Sequence, residues 1–221
     1  MDLKAIIKNF VNLFYPLHCA YCKKPLHPLN ELGICDPCKN GISKNLKPYS
    51  QSSYFDRAYS ACLYEGALRE LVHLFKYENR PGIAKTLAYF MVSFINENPD
   101  ITADIDAITF VPLENSRLRE RGFNHSEALA YNIAKAFNIP LLDTLEKVKT
   151  TRLQNELSRD ERLVNLKDAF RTKKDLQPLE DLKILLIDDV MTTGATLSEC
   201  SKVLRQAGAK EVRCFTLARG L

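Results

Sequence analysis

The chain has 221 residues, 46% of them hydrophobic and 26% charged, with a formal net charge of +4. That is enough for one domain of ordinary size plus a small appendage, and the composition is globular, which excludes a fibrous or intrinsically disordered chain. The mild basicity permits an anionic partner without demanding one, and no apolar run is long enough to span a bilayer.

The N-terminal stretch MDLKAIIKNFVNLFYPL is interrupted by Lys8, Asn9 and Asn12 and has no small-residue cleavage site. It is a poor secretory signal, so the expected location is the cytoplasm. Ile6, Ile7, Phe10, Val11 and Phe14 recur at helical spacing. The stripe suits a helix packed on neighbouring structure. A helix lying on a membrane surface is the alternative, but the segment carries few cations for that role.

Four of the seven cysteines follow closely. Cys19, Cys22, Cys35 and Cys38 form two C-x-x-C pairs separated by twelve residues. Each pair turns two thiolates toward one point, which suits a tetrahedral zinc site. The spacer KKPLHPLNELGI is too small and too rich in Pro and Gly to build a core, so a metal staple is expected. Two disulfides in a secreted module are the alternative, and the missing export signal argues against them. His18 and His27 are bystanders if four thiolates suffice. Cys62, Cys200 and Cys214 lie in apolar or helical contexts and are expected to pack. The linker SKNLKPYSQSS then separates a helix and zinc module over residues 1–46 from a second domain over residues 54–221.

In the second domain, strand-like and helix-like patterns alternate. AYSACLYE reads as a strand, and LRELVHLFKY and AKTLAYFMVSFINEN as helices. AITFVPL is a short strand ended by Pro112, and SEALAYNIAKAF a helix with Ser126 as its N-cap. KILLIDD is a strand buried on both faces by its continuous apolar run. TLSECSKVLRQAGA is a helix closed by Gly208, and EVRCFTLA is a last strand. Such alternation predicts a doubly wound α/β domain with a parallel sheet.

Asp188 and Asp189 end the KILLIDD strand, where ligands of such sheets bind. Two adjacent carboxylates repel, so something cationic or rich in hydroxyls should meet them. MTTGATL forms the turn into the next helix. A helix start aims N–H groups and partial positive charge outward and favours anions. Thr192, Thr193 and Thr196 add hydroxyls, and Gly194 permits close backbone approach. A phosphate held at the turn and a diol held by the acids, one ribose apart, describe a ribose 5-phosphate. An acidic strand end followed by a threonine helix cap is the plainer reading. The functional reading requires acids that face the ligand rather than turn against a lysine. G-x-G-x-x-G and G-x-x-x-x-G-K-[ST] are absent.

LLIDDVMTTGATL resembles the phosphoribosyl pyrophosphate (PRPP) motif of type I phosphoribosyltransferases. Further segments resemble the ComF-type competence proteins: FYPLHCAYC with the second cysteine pair, LFKYENR, FVPLENSRLRERGFNHSEALA, KVKTTRLQNELSRDERLVNLKDAF and TLARG. The resemblance covers nearly the whole chain in order. It departs at His125, where Gln is common, and at Lys147 and Lys149, where Arg is common; Arg and Lys differ as phosphate ligands. It implies a type I phosphoribosyltransferase-like parallel sheet flanked by helices, with a small N-terminal zinc module. Asp188 and Asp189 would hold the ribose hydroxyls and serve as catalytic residues. The implied PRPP-binding set is Asp188, Asp189, Met191, Thr192, Thr193, Gly194, Ala195 and Thr196. The turn after Val111 and Pro112 would be the pyrophosphate loop, and residues 151–165 would correspond to the loop that closes over transferase sites. Structural zinc, and magnesium accompanying PRPP, are the implied cofactors.

SRLRERGFNH carries Arg117, Arg119 and Arg121, and residues 147–174 hold nine Lys or Arg against four Asp or Glu. These cations, with Lys76, would bind pyrophosphate or the backbone of single-stranded DNA. Phe123 and Tyr77 would stack on bases or join the core. Two functional readings follow. One is DNA uptake in natural transformation, with single-stranded DNA as ligand and the uptake machinery at the inner membrane as partner, the protein being cytoplasmic or peripheral to that membrane. The other is a phosphoribosyltransferase acting on a small acceptor, although no segment reads as a hood for an acceptor base. The oligomeric state is not legible.

Overall fold

The computed structural model describes residues 17–45, 54–77, 82–149, 166–174 and 178–220. The expected helix over residues 6–14 and the loop over residues 151–165 lie outside the described residues. In chain order the elements are α1 (Asp36–Asn40), β1 (Arg57–Leu63), α2 (Gly66–Tyr77), α3 (Ile83–Glu97), a 3₁₀ turn (Pro99–Ile101) and β2 (Ala107–Phe110). There follow α4 (Asn115–Arg121), α5 (His125–Phe137), β3 (Leu145–Lys147), β4 (Phe170–Thr172), β5 (Lys183–Met191), α6 (Ala195–Gln206) and β6 (Glu211–Arg219).

Four strands form the expected parallel sheet in the order β1-β6-β5-β2. The continuous apolar run of β5 is explained by cover on both faces. Leu185 and Ile187 join one core with α2, α3 and α5, while Ile184 and Leu186 join another with α6 and the β3–β4 hairpin. Alternation along a pleated strand produces this division. Cys62 packs in the first core and Cys200 and Cys214 in the second, as expected for structural thiols.

Three details differ from the sequence reading. First, β5 does not stop at the acids but runs through them to Met191, held by paired neighbours on β6 as far as Arg219. Second, α5 is capped by Asn124 and not by Ser126: the Asn124 side chain accepts from the backbone N–H groups of Ser126 and Glu127. Third, the arginine-rich stretch is a short helix, α4, closed by Gly122 in the left-handed region at φ 79° with its N–H on Leu118. The antiparallel pair β3–β4 was also not foreseen.

Residues 17–45 sit against α3 and the edge of β1. Cys19 and Ile34 are fully buried in the same core as Met91 and Phe94, Thr86 donates to the Leu32 carbonyl, and the backbone N–H groups of Asn45 and Leu63 donate to the carbonyls of Ala61 and Ser43. Lys44 bridges Cys62 in antiparallel fashion, which covers the open edge of β1. No described helix is long and apolar enough to cross a membrane.

Gly208, after the last turn of α6, has φ +99°, and a Cβ there would stand 3.1 Å from Glu180 Cγ and 3.3 Å from its Cα. Gly208→Ala therefore adds both backbone strain and a clash. We expect it to lower stability by roughly 1–3 kcal/mol, read as a fall in the urea midpoint; an unmoved midpoint would refute the assignment.

Candidate functional site

The carboxyl ends of the strands surround a cavity of about 270 Å³. Its floor is Asp188 and Asp189 on β5. Its sides are Val111 and Pro112 after β2, Tyr64 after β1, His73, Lys76 and Tyr77 on α2, and Thr192 and Thr196 at the start of α6. Arg117 and Arg121 reach in from α4, and Lys147 and Phe170 from the hairpin. Arg117 and Arg121 are one helical turn apart and share a face, while Arg119 points elsewhere and is exposed. Arg119 thus stands outside the cavity, against expectation. Met191 is buried beneath the site rather than lining it. Thr193, Gly194 and Ala195 form the turn itself, with Gly194 at φ 78° as the N-cap of α6.

The two acids are met by the groups their charge demands. Lys76 Nζ stands 2.8 Å from Asp189 Oδ2 with both side chains largely sheltered. Ser126 Oγ donates to Asp188 Oδ1 at 2.8 Å, and the Asp189 N–H donates to the same oxygen. A cation and a hydroxyl thus meet the acids as expected; the further requirement, that the acids not turn against a lysine, is departed from at Asp189, although Lys76 and both carboxyls still line the cavity. Burial, reinforced by the neighbouring Asp189 charge, pushes the Asp188 carboxyl from 3.8 up to about 7, against the opposing pull of Ser126, the Asp189 N–H and Lys76. Burial alone would lower Lys76, but Asp189 outweighs it and raises the ammonium above its usual range. The charged lining is four cations against two acids.

Three consecutive residues that sequence reasoning did not single out for positioning hold this geometry. Asn124 caps α5 and donates its amide to the Val111 carbonyl at 3.1 Å. His125 places Nε2 3.0 Å from the Phe75 carbonyl, next to Lys76. A carbonyl only accepts, so Nε2 carries the proton. Burial lowers His125 to about 4, so the ring is neutral. Ser126 holds Asp188. Phe123 belongs to the core reading: its ring lies 5.4 Å from Phe75 and 4.7 Å from His125. Tyr77 is different, being 59% exposed. It stacks beneath the Arg121 guanidinium at 5.2 Å and beside His73 at 5.0 Å.

In the segment packed on α3, the sulfur atoms of Cys19, Cys22, Cys35 and Cys38 all lie within 4.8 Å of one another. Cys22 and Cys35 are 3.6 Å apart, well beyond a disulfide and near the ~3.8 Å that tetrahedral Zn–S bonds of about 2.3 Å imply. Burial opposes a thiolate at Cys19, but N–H groups of Cys35, Cys22 and Tyr21 outweigh it and bring the thiol down to about 6. Cys38, hydrogen-bonded to Cys35 and crowded by the other thiols, is pushed up to about 12. The four cannot all ionise without a cation among them, so the donor set fits a metal ion. His27 is engaged with the Leu29 N–H instead. Among the described residues no other such group of three or more ligands occurs.

Comparison with known proteins agrees with this architecture. The phosphoribosyl transferase domain family matches residues 124–221. Competence protein F of Haemophilus influenzae is 31% identical, over 93% of this chain and 98% of its own length. The DNA utilization protein YhgH of Salmonella typhimurium is 30% identical, over 95% of this chain and all of its own. Competence protein ComFC of Streptococcus pneumoniae is 32% identical, over 71% of this chain and 65% of its own. With about 30% identity to these relatives over most of its length, the chain belongs to the ComF-type competence protein family.

Proposed function

We propose that the protein handles single-stranded DNA during natural transformation and that its cavity binds PRPP or a related phosphorylated ribose. The observation that carries this reading is one cavity in which Lys76, Arg117, Arg121 and Lys147 surround two acids and the threonine turn. The names of the relatives, competence protein and DNA utilization protein, support the biological role. Phosphate would rest at the turn before α6, where Thr192 and Thr196 face the cavity. Pyrophosphate or further phosphates would meet the α4 arginines.

Magnesium fits in a restricted sense. Asp189 is committed to Lys76 and Asp188 to Ser126, so the protein offers no cage of its own. A magnesium ion would enter with the pyrophosphate, whose oxygens supply most of its ligands. The same pairing bears on turnover. A cationic sugar carbon needs negative charge beneath it, and here Lys76 offsets one acid while Asp188 is half protonated near neutral pH. This favours binding over transfer. The phosphoribosyltransferase reading needs Lys76 to leave Asp189 for the departing pyrophosphate, and Lys76 stands at the cavity wall where such an exchange would occur. Zinc is the proposed occupant of the four-cysteine cluster.

Three outcomes check these statements. Calorimetric titration with PRPP, with and without magnesium, gives saturable binding that Arg121→Ala weakens by roughly 10–100-fold, while Arg119→Ala leaves it unchanged; filter binding of short single strands falls steeply with salt. Absence of PRPP binding removes the cavity assignment, absence of strand binding at low salt removes the DNA role, and pyrophosphate release with any small acceptor revives the transferase. Elemental analysis finds one zinc per chain, and Cys35→Ser loses it together with several degrees of Tm. Finally, the folded chain keeps a proton on Asp188 between about pH 4 and 7 that the unfolded chain has released, so this residue's contribution to stability falls as pH rises through that window. Asp188→Asn keeps an acceptor for Ser126 and removes the penalty: the variant is more stable than the wild type at pH 8 by up to about 4 kcal/mol, with the advantage gone at pH 4, in urea melts at both values. Asp189→Asn behaves oppositely, since it strands a sheltered Lys76.

A further inference from the structure

We infer that the cavity receives the 5′-phosphorylated end of a single DNA strand, the terminal phosphate resting on the turn before α6 and the terminal base on Tyr77. The inference rests on the phosphoribose reading of the cavity and names which part of a DNA strand enters it.

Size comes first. At about 270 Å³ the cavity lies below the roughly 300–1,000 Å³ of common ligand pockets. That is room for one nucleotide and not for a strand threading through. Phosphate chemistry then chooses an end. A terminal phosphomonoester carries close to two charges and three strong acceptor oxygens, whereas an internal diester carries one charge and two free oxygens. The turn before α6 combines a twelve-residue helix start with the cavity-facing threonines Thr192 and Thr196, an arrangement suited to the monoester. The excess of cations in the lining favours the doubly charged group in the same way.

The rim distinguishes a nucleotide from a bare sugar phosphate. Tyr77 is exposed at the mouth, with Arg121 over its ring and His73 at its side. A flat base can stack on this group; PRPP has no flat part to use it. The floor accommodates the rest of the strand. In DNA the 2′-hydroxyl is absent and the 3′-oxygen bears the next phosphate, which two bare carboxylates would repel. Lys76 on Asp189 and the hydroxyl of Ser126 on Asp188 blunt that repulsion, and Lys76 is placed to meet the 3′-side phosphate. Arg117, which has no carboxylate partner within 4.0 Å among the described residues, continues the cationic wall outward.

The test uses the full chain and short oligodeoxynucleotides labelled at the 3′ end, followed by fluorescence anisotropy at fixed salt. A 5′-phosphorylated strand should bind about tenfold or more tightly than its 5′-hydroxyl twin, and PRPP should displace the first and not the second. Thr196→Val should erase the difference between the twins. Tyr77→Ala, which also removes the support beneath Arg121, should weaken the phosphorylated strand by about tenfold more than it weakens PRPP; equal losses for the two would overturn the stacking of a base on Tyr77. Free deoxynucleoside 5′-monophosphate should compete weakly, which separates strand-end recognition from a free-nucleotide site; competition as strong as that of the strand would overturn the DNA assignment. Melting curves of both variants establish that they fold. Equal affinity for the twin strands overturns the inference while PRPP binding, measured separately, would leave the phosphoribose reading standing. Loss of PRPP binding together with an undiminished 5′-phosphate preference would overturn that reading instead and would seat the strand end elsewhere, contradicting this proposal as well.

Discussion

Two neighbouring carboxylates at the end of a strand buried on both faces cost free energy unless other groups meet them, and the site is built around that compensation. Lys76 neutralises Asp189 from α2, while Ser126 from α5 and a main-chain N–H solvate Asp188. In a low-dielectric setting, removing either helix contact would leave an acid uncompensated. The price is a functional constraint: a floor tamed in this way is close to neutral, better suited to holding an anionic ligand over it than to stabilising a cation. This is the physical basis for the proposal that a phosphoribosyltransferase-type frame serves here for binding.

The geometry of that compensation depends on residues 124–126. Asn124 ties α5 to the segment after β2, His125 ties it to the end of α2, and Ser126 ties it to β5. Three elements distant in sequence meet at one helix start. Buried hydrogen bonds of this kind hold position because breaking one leaves a polar group without a partner. His125 serves here as a neutral donor locked between Phe75 and Phe123, and the lowered basicity that burial imposes keeps it in that role across the physiological range.

Much of this was legible in the residues alone. The apolar run of KILLI demanded cover on both faces, the paired C-x-x-C motifs demanded one focus for four sulfurs, and the alternation of periods demanded a parallel sheet. What was not legible required distances across the chain. Nothing in LFKY says that Lys76 will face Asp189, 113 positions later by their numbers. Ser126 looked like a helix cap because serine usually is one; Asn124 took the cap and released Ser126 for Asp188. The three arginines of α4 read as equivalent in sequence, and only the helical spacing separated Arg119 from the other two. Residues 115–121 concealed their helix because it is short and almost wholly polar, without the apolar stripe on which recognition depends.

The cysteine cluster and the helices that border the cavity share one core. Cys19 and Ile34 pack with Met91 and Phe94 of α3, and α3 packs in turn with Leu71 and Phe75 of α2. Phe75 is the residue whose carbonyl holds His125 and whose neighbour is Lys76. The interior is close-packed and transmits displacement. The four sulfurs and the helix that presents Lys76 to Asp189 are thus joined through one continuous buried core. Among the described residues the module sends no side chain into the cavity, and its link to the site is this shared packing.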